Sequence, residues 1–265
     1  MFERAYVWFS GVNLLVFVVV AFSLLSIACE AGFRFGGRSA RHQTNREGVG
    51  TISAAMLGLL SFTLGLTIGY AQDRAETRRG LVVHEANAIS TAWLRAKLVR
   101  SQEGSAIVEL IEEFAKVELA FTVAGSAEPE AGLITRREAL QDRIWGLEQT
   151  IARADPTPVT VTLANAVSEM FDAALAQRFA FDSRVPPTLS WMLLFGALLA
   201  VGAMGYQFGL SGARHPLLVS LLLVMWTGGM ALIMDLNQPR LGSIRVDPAP
   251  LIWTIHSFES PPLPH

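Results

Sequence analysis

His84 and Glu85 stand side by side on a stretch that reads as helix, the pair with which a zinc-metalloprotease helix begins. That signature needs a second imidazole one turn further on, and Ala88 occupies the place. The five histidines are scattered, with no pair at ligand spacing on one helix, so a metal centre would have to be assembled from distant segments. Cys29 is the only cysteine, which excludes an intrachain disulfide and a thiolate cage. There is no Walker loop, no G-x-S-x-G elbow and no dinucleotide fingerprint. The sequence therefore predicts no enzyme, no resident metal and no cofactor. A formal net charge of −2 gives no basic field, so nucleic acid is not an expected partner.

The remaining candidates are polar residues at the ends of apolar stretches. Asp235, Asn237 and Arg240 close an apolar window, and a carboxylate held at membrane depth marks an ion site. The plainer reading is a boundary residue that reaches water. Arg74, Arg78 and Glu85 fall on a burying face of one long helix, where charges usually pair, so Glu85 is expected to meet an arginine in a structural ion pair.

The elements that must position these residues are membrane helices. Hydrophobic residues make up 51% of the 265 and charged ones 17%, and the apolar residues are gathered into long runs. A span needs roughly 20 apolar residues. Four windows meet this without a charged side chain: Tyr6 to Ala28, Thr51 to Ala71, Leu189 to Leu210 and Pro216 to Met234. Trp8, Tyr70 and Trp191 sit where interfacial anchors are usual. The first run is too long for a signal-peptide core and reads as a retained anchor. The fold class is an all-α membrane protein, with four transmembrane helices in two hairpins and an extramembrane helical domain between them.

Its divisions are residues 1–71 for the first hairpin, 72–186 for the helical domain, 187–236 for the second hairpin and 237–265 for an irregular, proline-containing tail. Glu30 to Gly50, rich in arginine and glycine, reads as a solvated connection, and the second hairpin turns at Ser211 to His215. The second span continues without a breaker to about Arg100, a rod of about 75 Å at 1.5 Å per residue. Two further helices, about Glu103 to Val123 and Thr135 to Ala154, are separated by a Gly/Pro/Glu-rich turn. A last one begins near Thr160 and ends at Val185-Pro-Pro187.

At 100° per residue, Thr51, Ala54, Ala55, Gly58, Ser61, Phe62, Gly65 and Gly69 share an arc of about 120°, opposite Leu57, Leu60, Leu64 and Ile68. Beyond the span the same arc takes in Gln72, Asp73, Glu76, Asn87, Ser90 and Thr91. Small residues at four-residue spacing serve close helix packing. Alternatively, copies of this helix surround an axis, Phe62 forms an apolar constriction, and Gly58, Ser61, Gly65 and Gly69 leave room for ions or water, with Asp73 and Glu76 beyond. The polar continuation favours the second reading, since a stripe made only for packing need not stay polar outside the membrane. Gly202, Gly205, Gly209 and Gly212 form another small seam, for which packing is the favoured reading.

Glu85-Ala-Asn-Ala-Ile-Ser-Thr-Ala-Trp-Leu-Arg95, preceded by Arg78-Arg79 and followed by Arg184-Val-Pro-Pro187 and Asp235-Leu-Asn-Gln-Pro-Arg240, resembles the bacterial bestrophin-like family over most of the chain. That resemblance implies a homopentameric ion channel of the bacterial inner membrane, with lipid and inorganic ions as partners. It also implies a second membrane helix that lines the pore and extends into a cytosolic helical domain. The sequence has no recognisable acidic calcium clasp and lacks the two prolines and phenylalanine of the animal bestrophin neck, so calcium gating and anion preference are not carried over. The alternative is a non-conducting membrane anchor or sensor whose helical domain docks a protein partner, with the acidic, weakly patterned helices from Glu103 to Ala154 as the surface. Eight arginines near span ends (Arg4, Arg74, Arg78, Arg79, Arg178, Arg184, Arg240, Arg245) fall on the side of both termini and the helical domain, against five (Arg34, Arg38, Arg41, Arg46, Arg214) on the other. That total favours a cytoplasmic domain, while the dense basic connection argues the other way and the resemblance decides for the cytoplasm.

Overall fold

The structure, a computed structural model, describes residues 14–40, 46–124, 127–238 and 244–259. These residues form helices only: α1 Leu14–Ser39, α2 Arg46–Ala96, α3 Gln102–Val123, α4 Ala127–Ala154, α5 Pro158–Asp182, α6 Pro187–Ser211, α7 Pro216–Leu236 and α8 Ala249–Glu259. Of these, α1, α2, α6 and α7 are long and apolar enough to cross a membrane. The chain forms two compact units, divided at Asp73/Arg74 within α2, at Ser183/Arg184 and after Gln238.

The first unit holds α1, the early part of α2, α6 and α7. Lipid is as apolar as leucine, so helices inside it associate through close backbone approach. Here α1 and α6 interlock through glycines on both sides. A methyl group built on Gly32 or Gly36 would strike the carbonyl oxygen of Gly202 or Tyr206, and one on Gly205 or Gly209 would strike that of Cys29 or Phe33. This corrects the reading of Glu30 to Gly50 as a connection, because α1 stays helical through Gly36 and Gly37 to Ser39. Glycine costs helix propensity, but at Gly32 and Gly36 it is what lets α6 approach. Of the α6 seam, Gly205 and Gly209 pack as expected, whereas Gly212 is the left-handed cap (φ 70°) that ends α6, with Pro216 at the first position of α7. The ridge of α2 meets α6 and α7 at two further glycines, Leu60 against Gly196 and Leu64 against Gly229, and Ser53 Oγ donates to Ala203 O at 3.2 Å.

The second unit packs the rest of α2, α3, α4, α5 and α8 around a core that includes Val82, Ile89, Ile111, Phe114, Ile144, Leu163 and Met170. Local signals set its boundaries. Ser101 caps α3 by accepting from Gly104 N, and Thr157 and Thr160 cap α5 reciprocally ahead of Pro158.

Three expectations fail here. Helix α4 begins at Ala127, inside the segment read as a turn, because Pro129 falls within the first turn, where the missing N–H costs no helical bond. Residues 237–265 are not wholly an irregular tail, since Ala249–Glu259 is α8. Pro250 is tolerated in its first turn, Leu251 and Ile255 are buried one turn apart, and Phe258 stacks on Trp93 with centroids 4.7 Å apart. Nor are the helices from Glu103 to Ala154 a weakly patterned surface. Ile107, Leu110, Ile111, Phe114 and Phe121 of α3, with Leu140, Ile144 and Ile151 of α4, are buried in the unit.

Gly209→Ala should therefore lower the melting temperature of the detergent-solubilised protein by several degrees, corresponding to about 1–3 kcal/mol of overpacking. Gly146→Ala, in α4 where an added methyl meets nothing within 4 Å, should leave it unchanged or raise it slightly. Equal effects at the two positions would count against the seam.

Candidate functional site

Within the first unit, α2 buries only a narrow ridge. Ser53, Leu60, Thr67 and Ala71 are covered, and Leu60 is 6% exposed. The arc of small residues is bare: Gly58, Ser61, Phe62, Gly65 and Gly69 are exposed, with Phe62 at 64%. A methyl group at Gly58, Gly65 or Gly69 would meet nothing within 4 Å. Packing inside the chain therefore does not account for the small side chains of this arc. Asp73, the last residue of the first unit, and Glu76, in the second, are both exposed.

Arg74 and Arg78 serve the end of α5. Arg78 is 2% exposed and donates through Nε to Ala180 O at 3.0 Å and through Nη2 to Ser183 O at 2.7 Å. Arg74 Nη1 donates to Ser183 Oγ. Guanidinium groups placed on the last carbonyls of a helix satisfy orphan acceptors and offset the negative end of its dipole.

The sequence predicts an arginine partner for Glu85. Fully buried, it faces Glu118 of α3, and the arginine whose charge reaches it is Arg137 of α4. Arg137 holds both Glu118 oxygens, Nε to Oε1 and Nη2 to Oε2, each at 2.5 Å, and its guanidinium lies 4.5 Å from the centroid of the Phe121 ring. This is a fork-to-fork pair with both side chains removed from water. A layer away, Gln177 of α5 donates through Nε2 to Thr122 Oγ1 at 3.0 Å.

Sequence reasoning missed Glu118, Arg137 and Gln177, although a signal existed. Glu118 falls in the stripe Ile107, Ile111, Phe114, Phe121, and Arg137 in the stripe Leu133, Leu140, Ile144, Ile151. A charge inside an apolar helical stripe predicts a buried partner.

Asp235 is buried at 7% exposure, and does not have the open access to water that the plainer reading gave it. Asn237 is buried and accepts the backbone N–H of Val185 through Oδ1 at 2.7 Å, tying the end of α7 to the extended entry of α6. Arg240 lies outside the described residues. Among the described residues, no three His, Cys, Asp or Glu side chains lie close enough to share a metal ion.

The Bestrophin-like domain matches this chain over residues 17–251. No curated protein matches it. Among solved structures, a bacterial bestrophin homolog from Klebsiella pneumoniae aligns with a TM-score of 0.62 at 13% identity, covering 93% of this chain and 96% of that one. Two mutant forms of the Klebsiella pneumoniae homolog align with TM-scores of 0.65 and 0.66 at 14% and 12% identity, covering 94% and 91% of this chain and 97% and 96% of theirs. At such identities the likeness is one of fold.

Arg137→Ala should cost about 3–5 kcal/mol by leaving the Glu118 charge buried and unpaired. Its sequence neighbour Arg136, exposed and bridged to Glu113 at 2.7 Å, should tolerate the same change with no measurable loss. Thermal unfolding in detergent, followed by helix content, separates the two.

Proposed function

We propose that this chain, which belongs to the bestrophin-like family, is one subunit of an oligomeric ion channel in which α2 lines the pathway. Characterised members of the family are ion channels. The observation that carries the reading to α2 is the bare arc. A membrane helix that buries a ridge at Leu60 and leaves an arc of glycine, serine and phenylalanine uncovered, beside the exposed Leu59 and Leu66, can use that arc for close contact with other copies or for an aqueous axis between them. The polar continuation through Asp73 and Glu76 favours the axis. In this reading Phe62 supplies a ring of apolar side chains that closes the path by dewetting, with Gly58, Ser61, Gly65 and Gly69 beside it. Asp73 and Glu76 line the exit, where carboxylate rings favour cations. The assembly is a homopentamer of the bacterial inner membrane with its helical domain in the cytoplasm, and it performs no catalysis. Arg74 and Arg78 act as structural caps, and Asp235 and Asn237 hold the junction between α7 and the entry to α6.

Reporter fusions after residues 40, 120 and 265 should label the last two on the cytoplasmic side and the first on the other; any other pattern ends this topology. In liposomes the purified protein should pass ions. Phe62→Ala should raise the flux by widening the constriction, while Leu60→Ala should reduce stability more than conduction. Asp73→Asn with Glu76→Gln should lower cation over anion permeability, read as a shift of reversal potential in asymmetric salt. Absence of flux across ions, pH and voltage would leave the non-conducting anchor or sensor as the better reading.

A further inference from the structure

Glu85 is fully buried, and among the described residues no donor reaches either of its carboxyl oxygens. The group within hydrogen-bonding reach is itself an acceptor, the carboxylate of Glu118. Both Glu118 oxygens are already taken by Arg137. Two ionised carboxylates beside one guanidinium would leave a net negative charge in a site closed to water, and two acceptors in contact repel. A buried carboxylate that lacks a partner neutralises itself instead. One proton resolves both problems. Carried by Glu85, it lets an O–H donate to Glu118 and leaves Glu118 and Arg137 as a balanced ion pair.

We propose that Glu85 and Glu118 form a carboxylic acid–carboxylate pair holding one proton inside the helical unit, a proton-binding clasp that joins α2 to the α3–α4 hairpin and loosens when the proton leaves. Burial, and after it the charge of Glu118, push the Glu85 carboxyl well above the usual carboxylate range, with Arg137 acting weakly the other way. Burial also pushes Glu118 up, but Arg137 opposes it by charge and hydrogen bonding, so the proton resides on Glu85. Among the described residues, no charge other than those of Glu118 and Arg137 acts on Glu85. On α5 the neutral Gln177 is turned to Thr122 and Glu169 pairs with His84 at 3.4 Å, and α8 reaches α2 through the Thr254 hydroxyl, which donates to Ala86 O. An acid whose folded value is raised contributes stability in full below its ordinary value of 4.5, and that contribution is lost as pH rises through its folded value. The clasp is independent of whether the chain conducts.

The test uses the full-length protein in detergent, melted at pH values from about 5 to about 9. The wild type should lose stability with rising pH, by up to about tenfold in the folding equilibrium per pH unit, the limit for one proton. Glu85→Gln keeps a donor facing Glu118 and should abolish that fall, matching or exceeding the wild type at the alkaline end. In difference infrared spectra the wild type should show the C=O stretch of a protonated carboxylic acid near neutral pH, and Glu85→Gln should lack it. A Glu85→Gln protein that melts lower by a constant amount at every pH, or an acid band unchanged by the substitution, would overturn the clasp. Should Glu85→Gln fail to fold, the wild-type spectrum decides. The band must disappear in step with the fall in melting temperature, and its absence near neutral pH counts against the proposal.

Discussion

One unbroken helix has to satisfy two solvents. The backbone of α2 keeps its helical hydrogen bonds from Arg46 to Ala96, so the direction in which each side chain points is fixed by its position along 51 residues. In the first unit the helix cannot rely on the hydrophobic effect, because lipid tails compete equally for leucine. Its ridge is instead received by glycines, Gly196 under Leu60 and Gly229 under Leu64. In the second unit the same face is buried conventionally, with Val82, Ala86, Ile89, Ala92 and Trp93 in an apolar core. The covered face is thus continuous in sequence phase while the force that covers it changes.

Several buried polar groups are placed where a specific partner offsets their loss of water. Arg78 would be costly in the core, but the end of α5 presents carbonyl oxygens that lack helical donors, and the arginine binds two of them. Asn237 is spent on a backbone N–H in the segment before Pro186 and Pro187, where a proline-broken chain has no helical partner to give. Glu118 and Arg137 take each other in bidentate geometry, and Glu85 completes the cluster as an acid. By contrast, the exposed pair of Arg136 and Glu113 is held in water and contributes little.

The first unit replaces polar pairing with shape. Where α1 crosses α6, glycines on each helix accept the backbone of the other, which brings the two axes closer than side chains would permit. Helix α2 leaves Gly58, Gly65 and Gly69 against nothing among the described residues. The same residue type therefore has opposite consequences on two helices of one unit, and the bare set is the one that continues into a polar stripe.

Much of this was present in the linear pattern. Charge-free windows of sufficient length identify the four apolar helices, because no other local structure satisfies backbone groups in lipid. The 100° period alone separates the ridge of Leu60 from the arc of Phe62 on α2, since a helix without breakers keeps phase over any distance. Position in sequence could not reveal partners. That Gly32 and Gly36 belong to a helix, and not to a connection, follows from α6 lying against them, and that α8 is a helix follows from Trp93 and the core receiving its apolar face. The partner of Glu85 was likewise invisible, because Glu118 and Arg137 are distant in sequence and arrive through the folding of α3 and α4 onto α2. Periodicity is a property of one helix, whereas packing, pairing and protonation depend on which faces meet, and tertiary structure alone decides that.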